Sequence, residues 1–170
     1  KMFLQKPELV RTFKMNGIEY GFIPNLDDMT LGEYIDLDSY SGEYKNIEVA
    51  MNVFYRPITA KVKDKYIIDK YNPDTKENML NMPMDAVISS LFFFSEFRTG
   101  VVKAYPELFE NTQSNSVGGV QAFAAKYGWY QSLFALSGGN IIRIKNITEL
   151  NFHECFLMLA FMKDKNELEQ

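Results

Sequence analysis

A single histidine and a single cysteine, His153 and Cys155, stand two positions apart. Any Ser-His-Asp or Cys-His catalysis in this chain would have to be built on them. Residues i and i+2 of a helix do not face each other, so the pair is badly placed for a thiol–imidazole dyad. The expected role of His153 is a part-buried histidine in the first turn of a helix. Neither a thiolate nor an imidazole zinc site can be assembled from one His and one Cys. A carboxylate site would have to come from the acidic run Asp27, Asp28, Glu33, Asp36 and Asp38. Asp36-x-Asp38 has the opening spacing of a calcium loop. Tyr40 and Ser41, however, occupy the places of the third ligand and the turn glycine, and Ile47 stands where the closing Glu belongs. The run is expected to be the solvated acidic face of a short helix.

Phosphate and nucleic-acid chemistry find equally little support. Gly118-Gly119 and Gly138-Gly139 are isolated pairs with no following P-loop lysine, and they fit a loop and a helix cap. Tyr127 to Tyr130 could stack bases, but no basic groove accompanies them. Arg56-Pro57 and Lys61 to Lys70 are locally basic, with Asp64 and Asp69 interspersed. No catalytic constellation survives, so the expectation is a protein that is not an enzyme, with no cofactor and no metal. The positive signal is apolar. Phe92-Phe93-Phe94, nine methionines and two helices with wide apolar faces would serve a partner-binding surface. They would serve equally to fill a core, and the sequence does not choose between the two.

The elements that carry these residues follow from local signals. Thr12 to Ile23 reads as a β-hairpin turned at Asn16-Gly17, a pair suited to positive φ at both central positions. Thr30-Leu31-Gly32-Glu33 has the capping-box form and should open a short helix to about Leu37. A second helix is expected over Tyr44 to Tyr55, stopped by Pro57. Lys61 to Tyr71 alternates weakly and is read as a hairpin arm or an extended segment. A long helix should run from Asp85 to Tyr105, apolar nearly all round, with Pro83 in its first turn. Asn111 to Gly119 is the candidate linker. Val120 to Leu136 is expected to be helical and capped by Gly138-Gly139, with Ile141 to Ile147 a β-branched connector. Asn151-Phe152-His153-Glu154 should open a last helix, one side lined by Phe152, Phe156, Leu159 and Met162, with Lys163 to Gln170 fraying.

The fold class implied is mainly α: a helical bundle with a small N-terminal β-hairpin. Residues 1–110 form the hairpin and a helical part, 111–119 a linker, and 120–170 a C-terminal helical pair packed on the first part as a single domain. The size of 170 residues suits one ordinary domain. A composition of 46% hydrophobic and 15% aromatic residues excludes a disordered chain, and one cysteine excludes a disulfide scaffold. The net charge of −4 argues against a nucleic-acid partner. Lys1 to Phe13 has no apolar signal-peptide region, and Val87 to Phe97 is too short and too interrupted for a membrane span. An intracellular, soluble protein is therefore expected, with Asn146-Ile147-Thr148 a chance sequon.

Several phrases in order carry a resemblance: Tyr20-Gly21-Phe22-Ile23-Pro24, Leu26-Asp27-Asp28-Met29-Thr30 and Gly32-Glu33-Tyr34-Ile35-Asp36-Leu37. Phe54-Tyr55-Arg56-Pro57-Ile58, Phe92-Phe93-Phe94, Tyr127-Gly128-Trp129-Tyr130 and Leu136-Ser137-Gly138-Gly139 follow. The series resembles small morphogenesis proteins of tailed bacteriophages, similar to tail assembly chaperones and associated virion proteins. The resemblance implies binding rather than catalysis. A chaperone of that kind sequesters the tape-measure protein and helps tail tube subunits assemble in the host cytoplasm. The alternative is a structural virion component, a connector or tail-adaptor ring subunit, which would self-associate. The long coiled extension of frameshifted chaperone forms is not expected here. Interaction residues expected on this reading are Arg56, Phe92, Phe93, Phe94 and Trp129. Arg56 is expected to pair with Glu33 or Asp36, and Trp129 to anchor helix packing or an interface.

Overall fold

The computed structural model describes residues 5–75, 77–109 and 126–170. The expected linker 111–119 and the first residues of the helix expected from Val120 lie outside them. The expected helical bundle is corrected by a four-stranded antiparallel sheet in the order β1-β2-β3-β4, beside seven α-helices among the described residues. The content is mixed, with 58% of the described residues helical. The chain divides into two compact units. One holds residues up to Leu26 and Asp36–Thr99, and the other holds Asp27–Ile35 and Gly100–Gln170.

The first unit is built on the hairpin. β1 (Thr12–Met15) pairs with β2 (Ile18–Phe22), Phe13 opposite Tyr20. Asn16 and Gly17 take φ of 52° and 77°, the double positive φ that a tight hairpin turn demands. After helix α1 (Leu31–Tyr40) comes helix α2 (Ile47–Phe54), preceded by a single 3-10 turn at Tyr44–Asn46. The chain then passes with no loop into β3 (Tyr55–Val62) and returns through β4 (Lys65–Ile68).

Pro57 was expected to stop a helix, but the helix has already ended at Phe54 and Pro57 lies inside β3. A proline cannot donate to a ladder. It is tolerated here because it sits where pairing with β2 ends, at Tyr20↔Pro57, and pairing with β4 begins, at Ile58↔Ile68. An irregularity between Ile58 and Ala60 follows at once. The Pro57 carbonyl is still used, accepting from Asp69 N–H at 2.9 Å.

Helix α3 (Met84–Ala104) falls within a residue of its expected bounds. Pro83 stands just before it, its carbonyl accepting from Ala86 and Val87. Two buried serines mark its inner side. Ser89 Oγ accepts the N–H of Val10 at 3.1 Å, and Ser90 Oγ donates to the Val87 carbonyl at 2.9 Å. Tyr55 donates its hydroxyl to the Val10 carbonyl at 2.7 Å, so the segment before β1 is held by side chains of both β3 and α3. The core of this unit is aromatic: Phe22 stacks on Phe54 at 5.4 Å, and Phe54 meets the edge of Phe94 at 5.6 Å.

The second unit is closed by a backbone clasp. Thr30 bridges Asn151, Leu31 N–H donates to Leu150 O at 2.8 Å, and Phe152 N–H to Met29 O at 3.1 Å. Its helices are α4 (Pro106–Phe109), α5 (Tyr130–Ser137), α6 (Ile141–Thr148) and α7 (Phe152–Leu168). Gly138 and Gly139, at φ 63° and 76°, end α5 as the expected left-handed cap.

The expected β-branched connector over Ile141 to Ile147 is corrected: the segment is helix α6. Asn140 accepts the N–H of Ile142 at 3.0 Å and supplies the start. Ile144, Ile147 and Thr148, at helical spacing, form the half-buried side. Cap and packing outweigh the β propensity of the four isoleucines. The last helix persists to Leu168, beyond the point where fraying was expected.

Candidate functional site

The Phe92-Phe93-Phe94 run does not share one face. Three successive helical residues sweep about 200° of the circumference. Phe94 points inward at 1% exposure, Phe93 meets Phe22 edge-on at 5.8 Å, and Phe92 is left outside. Phe92 continues a stripe instead. Met84, Ile88 and Phe92 recur at intervals of four on α3 and are 69%, 52% and 43% exposed. Residues at that spacing lie one above another on a helix, so the stripe is continuous. The i, i+4 spacing alone marks this stripe, and the Phe92-Phe93-Phe94 run cuts across it. In the second unit α7 leaves Leu157, Met158 and Phe161 outside, and α6 leaves Ile141 and Ile142.

Trp129 is half-buried. Its indole stacks on Phe156 at 5.6 Å with 4° between planes, and meets Tyr34 edge-on at 6.0 Å. Tyr34 in turn stacks on Phe152 at 4.9 Å. Trp129 thus belongs to the aromatic packing of the second unit.

Arg56 is 9% exposed on β3, and its guanidinium lies 5.9 Å from the ring centroid of Tyr71. Asp36, one of the two carboxylates expected to pair with it, accepts the Tyr71 hydroxyl. Glu33, the other, completes the capping box. Its carboxylate accepts from Thr30 N–H at 3.3 Å, and its own N–H donates to Thr30 Oγ1 at 3.2 Å.

The acidic run is therefore solvated only in part: Asp27 and Asp28 are exposed, while Asp36 and Asp38 are half-buried and Glu33 is buried. Asp38 holds Arg98, Asp36 holds Tyr71, Glu33 is buried in the cap, and Asp27 holds His153. Apart from the Thr30–Glu33 cap, which spacing does reveal, these partners lie far from their acids in the chain and leave no local signal.

His153 is placed as expected, part-buried in the first turn of α7, but its partners come from far away. Nε2 lies 2.8 Å from Asp27 Oδ1, and Nδ1 lies 2.8 Å from the Tyr105 hydroxyl. In its neutral form the ring donates through Nε2–H to the carboxylate and accepts the phenol through Nδ1. Hydroxyl, imidazole and carboxylate stand in the order of a hydrolytic triad. The electrostatics run against that use. Burial, then the charge of Asp27, raises the Tyr105 pKa, so the phenol is made harder to ionise. Burial, then Glu154, raises the Cys155 thiol, the reverse of what a reactive cysteine needs. The chain of bonds works as a tie that fixes three segments of the second unit.

Among the described residues no group of three His, Cys, Asp or Glu could hold a metal ion. No described helix is long and apolar enough to cross a membrane. Compared with known proteins, the chain matches no family model, no curated protein and no solved structure.

Proposed function

We propose that this chain is a non-enzymatic binding protein that holds other polypeptides through exposed apolar helical faces. Its particular role is that of a tail assembly chaperone for phage tape-measure or tail tube proteins. The observation that carries the binding reading is the Met84, Ile88, Phe92 stripe: three large apolar side chains in line, in water, on a helix whose other side is buried. A contiguous apolar surface of this kind is costly to leave wet and marks contact sites on soluble proteins. Met and Phe adapt to irregular partners, which suits a holding function. The phage assignment is supported by the resemblance of the sequence phrases, Tyr20 to Pro24 through Gly138-Gly139.

Co-expression with a tape-measure protein tests the reading. The wild-type chain should keep that protein soluble, whereas Ile88→Glu with Phe92→Glu should not, while melting at the same temperature as wild type. Equal protection by the double variant would remove the stripe as the binding face. No protection by the wild type would remove the chaperone role. Abundance of the chain in purified particles would favour the virion-component alternative.

A further inference from the structure

Helix α7 is apolar on two sides, and the second unit buries only one of them. Phe152, Cys155, Phe156, Leu159 and Ala160 are inside. Leu157, Met158, Phe161 and Leu168 are each more than half exposed. With Glu154 and Lys165, also exposed, they fall within about 100° of the helix circumference. Along that face Glu154, Met158, Phe161, Lys165 and Leu168 follow at intervals of four, three, four and three, the spacing of a coiled-coil seam. A surface helix with one buried side carries polar residues on the other. Four large apolar side chains stand there instead.

We propose that this face of α7 pairs with the same face of a second copy of the chain, the two helices antiparallel. The charges point to that occupant. Glu154 precedes Met158 by four residues and Lys165 follows Phe161 by four, so the two charges flank the apolar pair symmetrically. Laid antiparallel across that midpoint, Met158 of each copy meets Phe161 of the other, and Glu154 of each meets Lys165 of the other. The pattern is its own complement, as a two-fold contact requires. Parallel alignment sets like charges against each other at both ends. The pair that Lys165 makes within its chain, with Glu169 at 3.7 Å, joins two side chains that are more than half exposed, and such a pair is worth little. Thioether against phenyl is a favourable contact for the centre. Four turns of one helix bury less than the roughly 800 Å² per partner of a standard interface, so the association is weak and reversible. It concerns the second unit alone and does not depend on the α3 stripe.

Sedimentation equilibrium of the full chain, from about 1 µM to about 1 mM, tests it. The wild type should show a monomer–dimer equilibrium with Kd on the order of 10–100 µM. Phe161→Glu should abolish the dimer while the dilute protein melts at the same temperature as wild type. Glu154→Lys and Lys165→Glu should each weaken it about tenfold, by setting like charges together at both ends. The two reversals combined should return Kd to within about threefold of wild type. That rescue occurs only in the antiparallel alignment, and the charge set serves if Phe161→Glu does not fold. Ile88→Glu with Phe92→Glu should leave the dimer intact, which keeps this test separate from that of the α3 stripe. The proposal is overturned if the wild type stays monomeric at the highest concentration, which would leave the face to a different partner. It is overturned equally if the dimer survives a folded Phe161→Glu chain, if the combined reversal is no better than the single ones, or if the α3 variant abolishes the dimer.

Discussion

A methyl group on Gly21 would stand 2.5 Å from Cε2 of Tyr66 and 3.0 Å from Cγ1 of Ile58. The ring cannot swing away freely, because its hydroxyl donates to the Phe22 carbonyl at 2.6 Å. Glycine is present here to let an aromatic side chain from β4 lie flat on β2. Gly21→Ala should cost about 1–3 kcal/mol in urea unfolding, the usual cost of overpacking. Gly21→Ala combined with Tyr66→Leu should lose less than the sum of the two single changes. Tyr20 makes a second residue-scale prediction. Burial, then the hydrogen bond and charge of Glu77, push its pKa up to about 12. An unfolded tyrosine ionises near 10. The folded state therefore keeps a proton that the unfolded state has released, and stability falls as pH rises from about 10 to about 12. The contribution is whole below that window. Burial raises the pKa of Tyr55 in the same direction. Phenolate absorbance should rise in step with unfolding, and Tyr20→Phe should make the alkaline loss shallower.

At the scale of elements, caps decide where helices begin. Asn151 accepts the N–H of His153 at 2.8 Å and donates through Nδ2 to the Asp27 carbonyl at 2.9 Å. It opens α7 and fastens the clasp of the second unit with one side chain. Asn151→Ala should cost about 1–2 kcal/mol by chemical denaturation, at the upper end for a cap. Asn151→Asp keeps the capping oxygen and loses the Nδ2 donor, so it should fall between the two. The β3 strand shows what local rules miss. Proline normally argues against a strand interior, and here it sits where pairing with β2 ends and pairing with β4 begins. α6 is the converse case, in which β-branched residues become helix behind the Asn140 cap.

For the molecule as a whole, the balance of core and surface is the functional question. Ile88→Glu with Phe92→Glu changes only exposed side chains. It should move unfolding free energy by less than about 0.5 kcal/mol while lowering the binding of an apolar dye. A large loss of stability would mean the stripe is core after all. The same double variant separates a surface kept for partners from one that merely completes the fold.

How much of this was legible beforehand depends on the range of the interaction. Asn16-Gly17, the Thr30–Glu33 box, the Asn151 start and the Gly138-Gly139 stop are each settled by hydrogen bonds or φ angles within a few residues, and each stands where the chain itself put it. The long helix α3 was legible too, from its length and apolar content. Which side of α3 faces out is not local. One hundred degrees of rotation separates Phe92 from Phe93, and tertiary neighbours such as Phe22, Phe54 and Val10 set it. The partners of Asp27, Asp36 and Asp38 lie 126, 35 and 60 positions away, and the Tyr71 ring reaches Arg56 only because β4 folds back on β3. Side-chain chemistry across such distances carries no periodic trace in a sequence, so the tertiary structure alone decided it.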